Sequence, residues 1–395
     1  MPARNTSLSY GSVARGLHWL TALLIVAAFP LGMIAENLPF DTSEALARKA
    51  QVFSLHKTLG VTVFLVALLR ILWALTGKKP VPLHPARRVE TLLAEAVHWA
   101  LYLSLVMVPL SGWVHHAATT GFAPILWPLG QDLPFVPKSE TVAGIAGAVH
   151  WVFTKLLLAS VALHVLGALK HALIDGDRTI ARMVTGAEAG KAADAAPALA
   201  PALVALAVFA AGAAGAWAIA YRAPEGVAEA PAVAAPAAGN WTVAEGSLAF
   251  AVQQMGQRVE GALPAWTAAI DFDEATGTGT VTVEIDTTRL TLGSVTDQAK
   301  GPEFFDVAGH PTATFTAAIV PAGEAFEAKG TLALRGAEHP VTLPFTLVLE
   351  GDTARMQGKV TLDRRDFGMG PSYADEKTVG FTVDVEVALV AKRGG

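Results

Sequence analysis

The stretch HWVFTKLLLASVALH, residues 150–164, sets a histidine at each end of a run whose single charge is Lys155. Read as a helix, the step from i to i+14 turns through about 1400°, some 40° short of four full turns, so His150 and His164 face nearly the same side. The rise per residue separates them by about 21 Å along the axis. The surrounding segment is apolar enough to cross a bilayer, where coordinating groups are costly and mark functional sites. Two imidazoles on one face, one near each membrane surface, suit two stacked cofactors better than one.

The rest of the chain agrees with a membrane setting. Its 395 residues are 52% hydrophobic, and the mean hydropathy is +0.44, too apolar for an ordinary soluble protein. Five segments are each long enough to span: 13–35, 52–75, 92–117, 142–173 and 199–221. The first lacks a small-residue cleavage pattern and exceeds a signal-peptide core, so it reads as a retained helix. There are no cysteines, which excludes disulfides, iron–sulfur clusters, thiolate nucleophiles and covalent C-x-x-C-H haem attachment. The net charge of -5, without a polybasic patch, gives no sign of nucleic-acid binding.

Positive charge orients the spans. Arg4 and Arg15 precede the first, Lys78, Lys79, Arg87 and Arg88 fill the second-to-third loop, and Lys170, Arg178, Arg182 and Lys191 follow the fourth. In the other two loops Arg48, Lys49 and Lys138 are offset by nearby carboxylates. The N-terminus is therefore expected in the cytoplasm, and everything after Tyr221 across the bacterial inner membrane, in the periplasm.

Beyond Asn240 the period changes to two. Val281, Val283 and Ile285 alternate with polar residues, as do Phe381, Val383, Val385, Val387 and Leu389. About eight short strands, separated by turn residues, predict an antiparallel barrel or sandwich. Ala/Pro/Gly-rich stretches on both sides of the fifth span read as linkers.

His150 and His164 each need a second ligand at matching depth. His18 lies about one turn inside the first span, level with His164, and His56 about one turn inside the second, level with His150. Bis-His pairs on facing helices make haem b sites suited to electron transfer. The third span competes, since His98 and His116 share one face and reach both depths. Spacing alone therefore leaves three candidates at each surface. His115, His116 and His171 sit nearest the water, where an interfacial role is the plainer reading, and His84 lies in a loop.

RGLHW at 15–19, LHKTLG at 55–60 and the fourth-span pair followed by LKHALIDGD resemble the bacterial cytochrome b561 family of four-helix, two-haem membrane proteins. The resemblance covers residues 8–185. It implies iron ligation by His18 with His164 on the cytoplasmic side and by His56 with His150 on the periplasmic side, leaving His98 and His116 as packing residues. Arg15, Arg70, Lys57 and Lys170 are candidates for haem propionates or quinone oxygens, against plain snorkelling or the positive-inside bias.

GPEFFDVAGHPTATF, ALRGAEHPVTLP and VTLDRRDFGMG, following AWTAAIDFDEATGTGTVTVEIDTTRLTLG, resemble the YceI-like family over residues 240–393. That family is a lipocalin-like β-barrel holding a polyisoprenoid chain. GSLAFAVQQMG stands here where a polar His-Ser pair is usual. His310 and His339, each beside a proline, read as exposed loop residues.

The expected architecture is a four-helix transmembrane haem-binding domain (8–185), a linker (186–198), a fifth tethering helix (199–221), an Ala/Pro linker (222–239) and a lipocalin-like antiparallel β-barrel (240–393). The resemblances imply an oxidoreductase with two non-covalent haem b groups, passing electrons between a periplasmic reactant, foremost superoxide, and membrane ubiquinone. Arg48 and Lys49 would attract the anion, unless they are simply solvated loop charges. Two other expectations stand beside this one: quinol oxidation feeding a periplasmic acceptor, and a membrane-tethered polyisoprenoid carrier whose haems are structural or regulatory. No hydrolase or transferase motif is present.

Overall fold

The computed structural model describes residues 2–119, 123–127, 129–190, 199–222, 239–293 and 295–394. The expected linkers fall largely outside these residues, at 191–198 and 223–238. The chain forms two compact units, one helical and one built on the β-domain.

The helical unit contains α1 (Ser12–Asn37), most of α2 (Ser43–Leu75), α3 (Arg88–Ala117), α4 (Glu140–Leu173), the short α5 (Thr179–Val184) and α6 (Ala200–Arg222). Five of these are long and apolar enough to cross a membrane. Leu23, Val26, Leu72, Leu166 and Leu203 stay exposed, a surface matched to lipid rather than water. Ser139 caps α4 by accepting from Val142 N–H. Pro30 and Pro109 stand inside α1 and α3, as membrane helices tolerate.

Two details differ from the sequence reading. Hydropathy placed the start of the second span at 52, but α2 begins at Ser43. Its first two turns carry charge, so they are helical without being apolar, and Thr42 Oγ1 accepts from Ala45 N–H at their head. Arg48 and Lys49 are thus helix residues rather than loop charges, and Lys49 Nζ donates to the Leu38 carbonyl at 2.7 Å. The fifth span is also more than a tether. Ala205, Phe209 and Ala216 are buried, the Phe209 ring lies 5.0 Å from Phe153 of α4, and a Cβ on Gly212 would meet Leu156 at 3.0 Å. Small residues let α6 approach closely where lipid offers no hydrophobic drive.

The second unit is a closed antiparallel barrel of β1 (Trp241–Gln254), β2 (Gln257–Ala262), β3 (Trp266–Asp273), β4 (Thr278–Asp286), β5 (Thr312–Ala322), β6 (Ala325–Leu334), β7 (Ala337–Glu350), β8 (Thr353–Asp363) and β9 (Val379–Arg393). A short helix, α7 (Thr296–Lys300), lies between β4 and β5. The nine strands make eight staves. β2 pairs with the far half of β1 and β3 touches its start at Trp241↔Ile270, so β2 and β3 form one stave interrupted around Pro264. Pairing of β1 with β9, from Trp241↔Arg393 to Gln254↔Val379, closes the ring and removes the exposed edge. The unit also takes in Leu38–Ala50, with Leu46 buried beside Tyr373 and Val379. His339, expected in a loop, lies in β7 opposite Leu332. The proline after it suggested a turn, but the barrel tolerates Pro340 within the ladder. His310 lies in the loop before β5, as expected, and its carbonyl accepts from Thr287 Oγ1.

Candidate functional site

The structure brings the four expected histidines together in two pairs. His18 of α1 and His164 of α4 have ring centroids 6.0 Å apart. His56 of α2 and His150 of α4 are 6.4 Å apart. With metal–nitrogen bonds of ~2.0 Å and centroids about 1.1 Å behind each nitrogen, two imidazoles that bind one haem iron from opposite faces would hold their centroids about 6.2 Å apart. Both pairs meet that separation, so these residues fit a haem iron between them. His98 lies 5.1 Å from His164, short of the separation that ligation on opposite faces of a haem iron would need.

The seats of His56 and His150 are built alike. His56 Nδ1 is 2.8 Å from the Ala28 carbonyl oxygen, and His150 Nδ1 is 2.8 Å from that of Val108. A carbonyl only accepts, so each Nδ1 carries the proton and each Nε2 keeps its lone pair for a metal. One turn beyond each carbonyl stands a glycine. A Cβ on Gly32 would approach His56 Cε1 to 2.8 Å, and one on Gly112 would approach His150 Nδ1 to 2.9 Å. Only a missing side chain allows an imidazole so near a helix backbone.

A third seat of this kind went unnoticed in the sequence. His115 Nδ1 lies 2.8 Å from the Ala143 carbonyl oxygen, and a Cβ on Gly147 would meet that nitrogen at 3.1 Å. Its ring contact is His116, 4.8 Å away on the same helix. The signal was present as a glycine four residues after the acceptor, but it has meaning only once the facing helix is known.

His18 is held differently. Arg70 Nη2 lies 3.2 Å from His18 Nδ1, and the guanidinium sits 5.4 Å from the Tyr102 ring centroid. Arginine only donates, so Nδ1 accepts here. Metal ligation through Nε2 then requires this guanidinium to shift, and a haem propionate is the partner it suits. Arg15 Nη1 donates to the Val184 carbonyl at 2.8 Å and Trp19 Nε1 to that of Met183 at 3.2 Å, tying α1 to α5. Lys57 is buried. Lys170 joins Glu90 and Asp175 at 2.8 Å each. His171, expected to be an interfacial residue, stacks on His84 with ring planes 3° apart.

The barrel encloses a cavity of about 280 Å³. Phe250, Phe272, Phe315, Phe345, Met356 and Leu389 are among its lining residues, and its polar members are few. One of them, Arg364, is 3% exposed and is consumed by the fold. Its Nε donates to Gly380, Nη1 to Met369 and Gly370, and Nη2 to Tyr373 and Val379, all carbonyls. An eight-stave barrel has room for one slender ligand, and this interior would select an apolar one.

Comparison with known proteins follows the same division. The prokaryotic cytochrome b561 family matches residues 9–186, and the YceI-like domain matches 241–391. The chain is 32% identical over 186 residues to cytochrome b561 homolog 2 of Escherichia coli (strain K12), covering 47% of this chain and 95% of that protein. It is 23% identical over 176 residues to the probable superoxide oxidase CybB of Yersinia pestis, covering 44% and 95%. Among solved structures, Burkholderia cenocepacia BcnA is 31% identical, with 37% of this chain and 96% of that one covered and a TM-score of 0.36.

Proposed function

Because this multi-pass membrane protein belongs to the cytochrome b561 family over its helical half and carries a YceI-like domain after it, we propose that it holds two b-type haems and passes electrons between a periplasmic reactant and membrane ubiquinone. The observation that carries this reading is the matched pair of imidazole separations, 6.0 and 6.4 Å. His18 and His164 hold the haem on the cytoplasmic side, and His56 and His150 the one on the periplasmic side, with the orientation taken from the positive loops. Haem b held by these residues would supply one-electron transfer.

The chain's own residues orient and tune. Ala28 and Val108 hold the Nδ1 protons of His56 and His150, which fixes the tautomer and points each Nε2 inward. Gly32 and Gly112 leave room for those rings. Arg70 places a positive charge beside His18, favouring the more negative state of its surroundings.

Superoxide is the reactant we assign, supported by the similarity to a probable superoxide oxidase. Each superoxide gives up one electron and leaves as dioxygen, and two electrons with two protons convert ubiquinone to ubiquinol. The barrel takes an isoprenoid chain into its apolar interior. The test uses the full-length, haem-loaded protein with ubiquinone and a steady source of superoxide. Haem reduction followed by ubiquinol formation is expected. Haem reduction no faster than in superoxide-free buffer sinks the assignment. Reduction by ubiquinol, with onward transfer to an added acceptor, would then establish the opposite direction of flow.

A further inference from the structure

Where α4 ends, four side chains from three parts of the helical unit turn their ligating atoms toward one point. They are His84 of the α2–α3 loop, His171 of the last turn of α4, and Asp175 and Asp177 just after it. One ligand atom from each lies within 4.8 Å of all the others. His84 Nε2 is 3.0 Å and His171 Nδ1 2.7 Å from the same oxygen, Asp177 Oδ2. His171 Nδ1 is 3.2 Å from Asp175 Oδ2. A tetrahedral zinc ion with bonds of 2.0–2.1 Å has ligand–ligand edges of about 3.4 Å, so small inward or outward shifts would complete the figure.

The outward atoms of Asp175, Asp177 and His171 are already occupied. Arg87 Nη1 donates to Asp175 Oδ1 at 3.0 Å. Thr179 N–H donates to Asp177 Oδ1 at 2.8 Å. His171 Nε2 faces Glu90 Oε1 at 3.3 Å. This is the outer arrangement that orients metal ligands, including the carboxylate behind an imidazole. What remains inward is one atom from each residue. Among these, Asp175 Oδ2 belongs to a side chain only 8% exposed, and its partner there is the Lys170 ammonium at 2.8 Å. Three carboxylates (Glu90, Asp175, Asp177) stand against two permanent cations (Arg87, Lys170), which leaves negative charge for another cation.

We propose that His84, His171, Asp175 and Asp177 form a zinc-binding site, separate from the paired histidines, that pins the α2–α3 loop to the end of α4. Two imidazoles with two carboxylates are a donor set that zinc accepts in four-coordination. The ion displaces the Lys170 ammonium from Asp175 Oδ2, and Lys170 keeps Glu90.

The test takes the full-length, haem-loaded protein in nanodiscs, strips it with a chelator and dialyses it against zinc chloride. Zinc is counted against haem iron, and the zinc X-ray absorption edge is recorded separately from that of iron. One zinc per chain is expected, surviving gel filtration, with nitrogen and oxygen ligands at ~2.0 Å and imidazole scattering. His84→Ala should weaken zinc binding by at least about tenfold with the haem spectrum unchanged, because His84 is a loop residue. Asp177→Asn should do the same, and His339→Ala should change nothing. Zinc lost from the wild type on gel filtration overturns the proposal. So does zinc held equally by wild type, His84→Ala and Asp177→Asn, which would mean adventitious binding.

Discussion

His150 donates its Nδ1 proton to the carbonyl oxygen of Val108, 2.8 Å away on the neighbouring helix. One bond fixes tautomer and ring direction together, and it forms because position 112, one turn along α3, has no side chain. His56 repeats the arrangement with Ala28 and Gly32. Both rings are therefore oriented, each with Nε2 left free, by the backbone of the helix that faces it.

The ligand assignment predicts haem stoichiometry. His150→Ala and His56→Ala should each remove one haem, and His18→Ala and His164→Ala the other, with about half the wild-type haem left in each case. His98→Ala should retain both. Haem quantitation and reduced-minus-oxidised spectra of the purified variants decide this, and a His98→Ala protein with one haem would move the ligand role to α3.

The glycine seats predict a steric effect without touching a ligand. Gly112→Ala places a methyl group 2.9 Å from His150 Nδ1 and Gly32→Ala one 2.8 Å from His56 Cε1. Each should lower occupancy of the same haem or shift its absorption, at a cost of about 1–3 kcal/mol from overpacking. Gly147→Ala, which crowds His115 instead, should leave two haems in place. Haem content and midpoint titration of the three variants compare them directly.

Arg70 predicts a change in potential. Removing a positive charge beside the His18 pair favours the oxidised, more positive haem, so Arg70→Gln should lower one midpoint by tens of mV, on the order expected for a nearby charge in a medium of moderate dielectric. The other haem should keep its potential. Redox titration of both haems checks this, and equal shifts of both would show a general disturbance of the bundle.

In the barrel, Arg364→Met should leave the Met369, Gly370, Tyr373, Val379 and Gly380 carbonyls without their shared donor. A buried acceptor left unsatisfied costs about 1–3 kcal/mol. Pulse proteolysis of the full-length protein in urea should show the 364–381 segment cut at much lower denaturant than in the wild type.

Acid should weaken the barrel at a defined point. Hydrogen bonds from Arg258 and Thr361 hold Asp384 below its usual value, and Arg365 does the same for Asp363. A depressed folded-state carboxyl stabilises above its unfolded pKa and loses that contribution as pH falls through its folded one. Barrel stability should therefore hold from pH 7 to 5 and decline below about pH 4. Asp384→Asn should flatten that decline in proteolysis assays across pH.

The sequence by itself determined the five spans and the antiparallel strands of the second half, because hydropathy and periodicity of two or 3.6 are local properties that a linear pattern preserves; periodicity left barrel and sandwich both open, and the pairing of β1 with β9 decided for the barrel. It also narrowed the haem ligands, since the i, i+14 spacing of His150 and His164 puts both on one face. It left His98 and His116 open, because depth along a helix says nothing of which faces meet. Only the tertiary structure separated 5.1 Å from 6.0 Å at His164, gave Gly32 and Gly112 their purpose and packed the fifth span into the bundle. The gathering of His84 with His171, Asp175 and Asp177 belongs to the same class. These are contacts between residues far apart in sequence, fixed by how helices pack, and no local pattern encodes them.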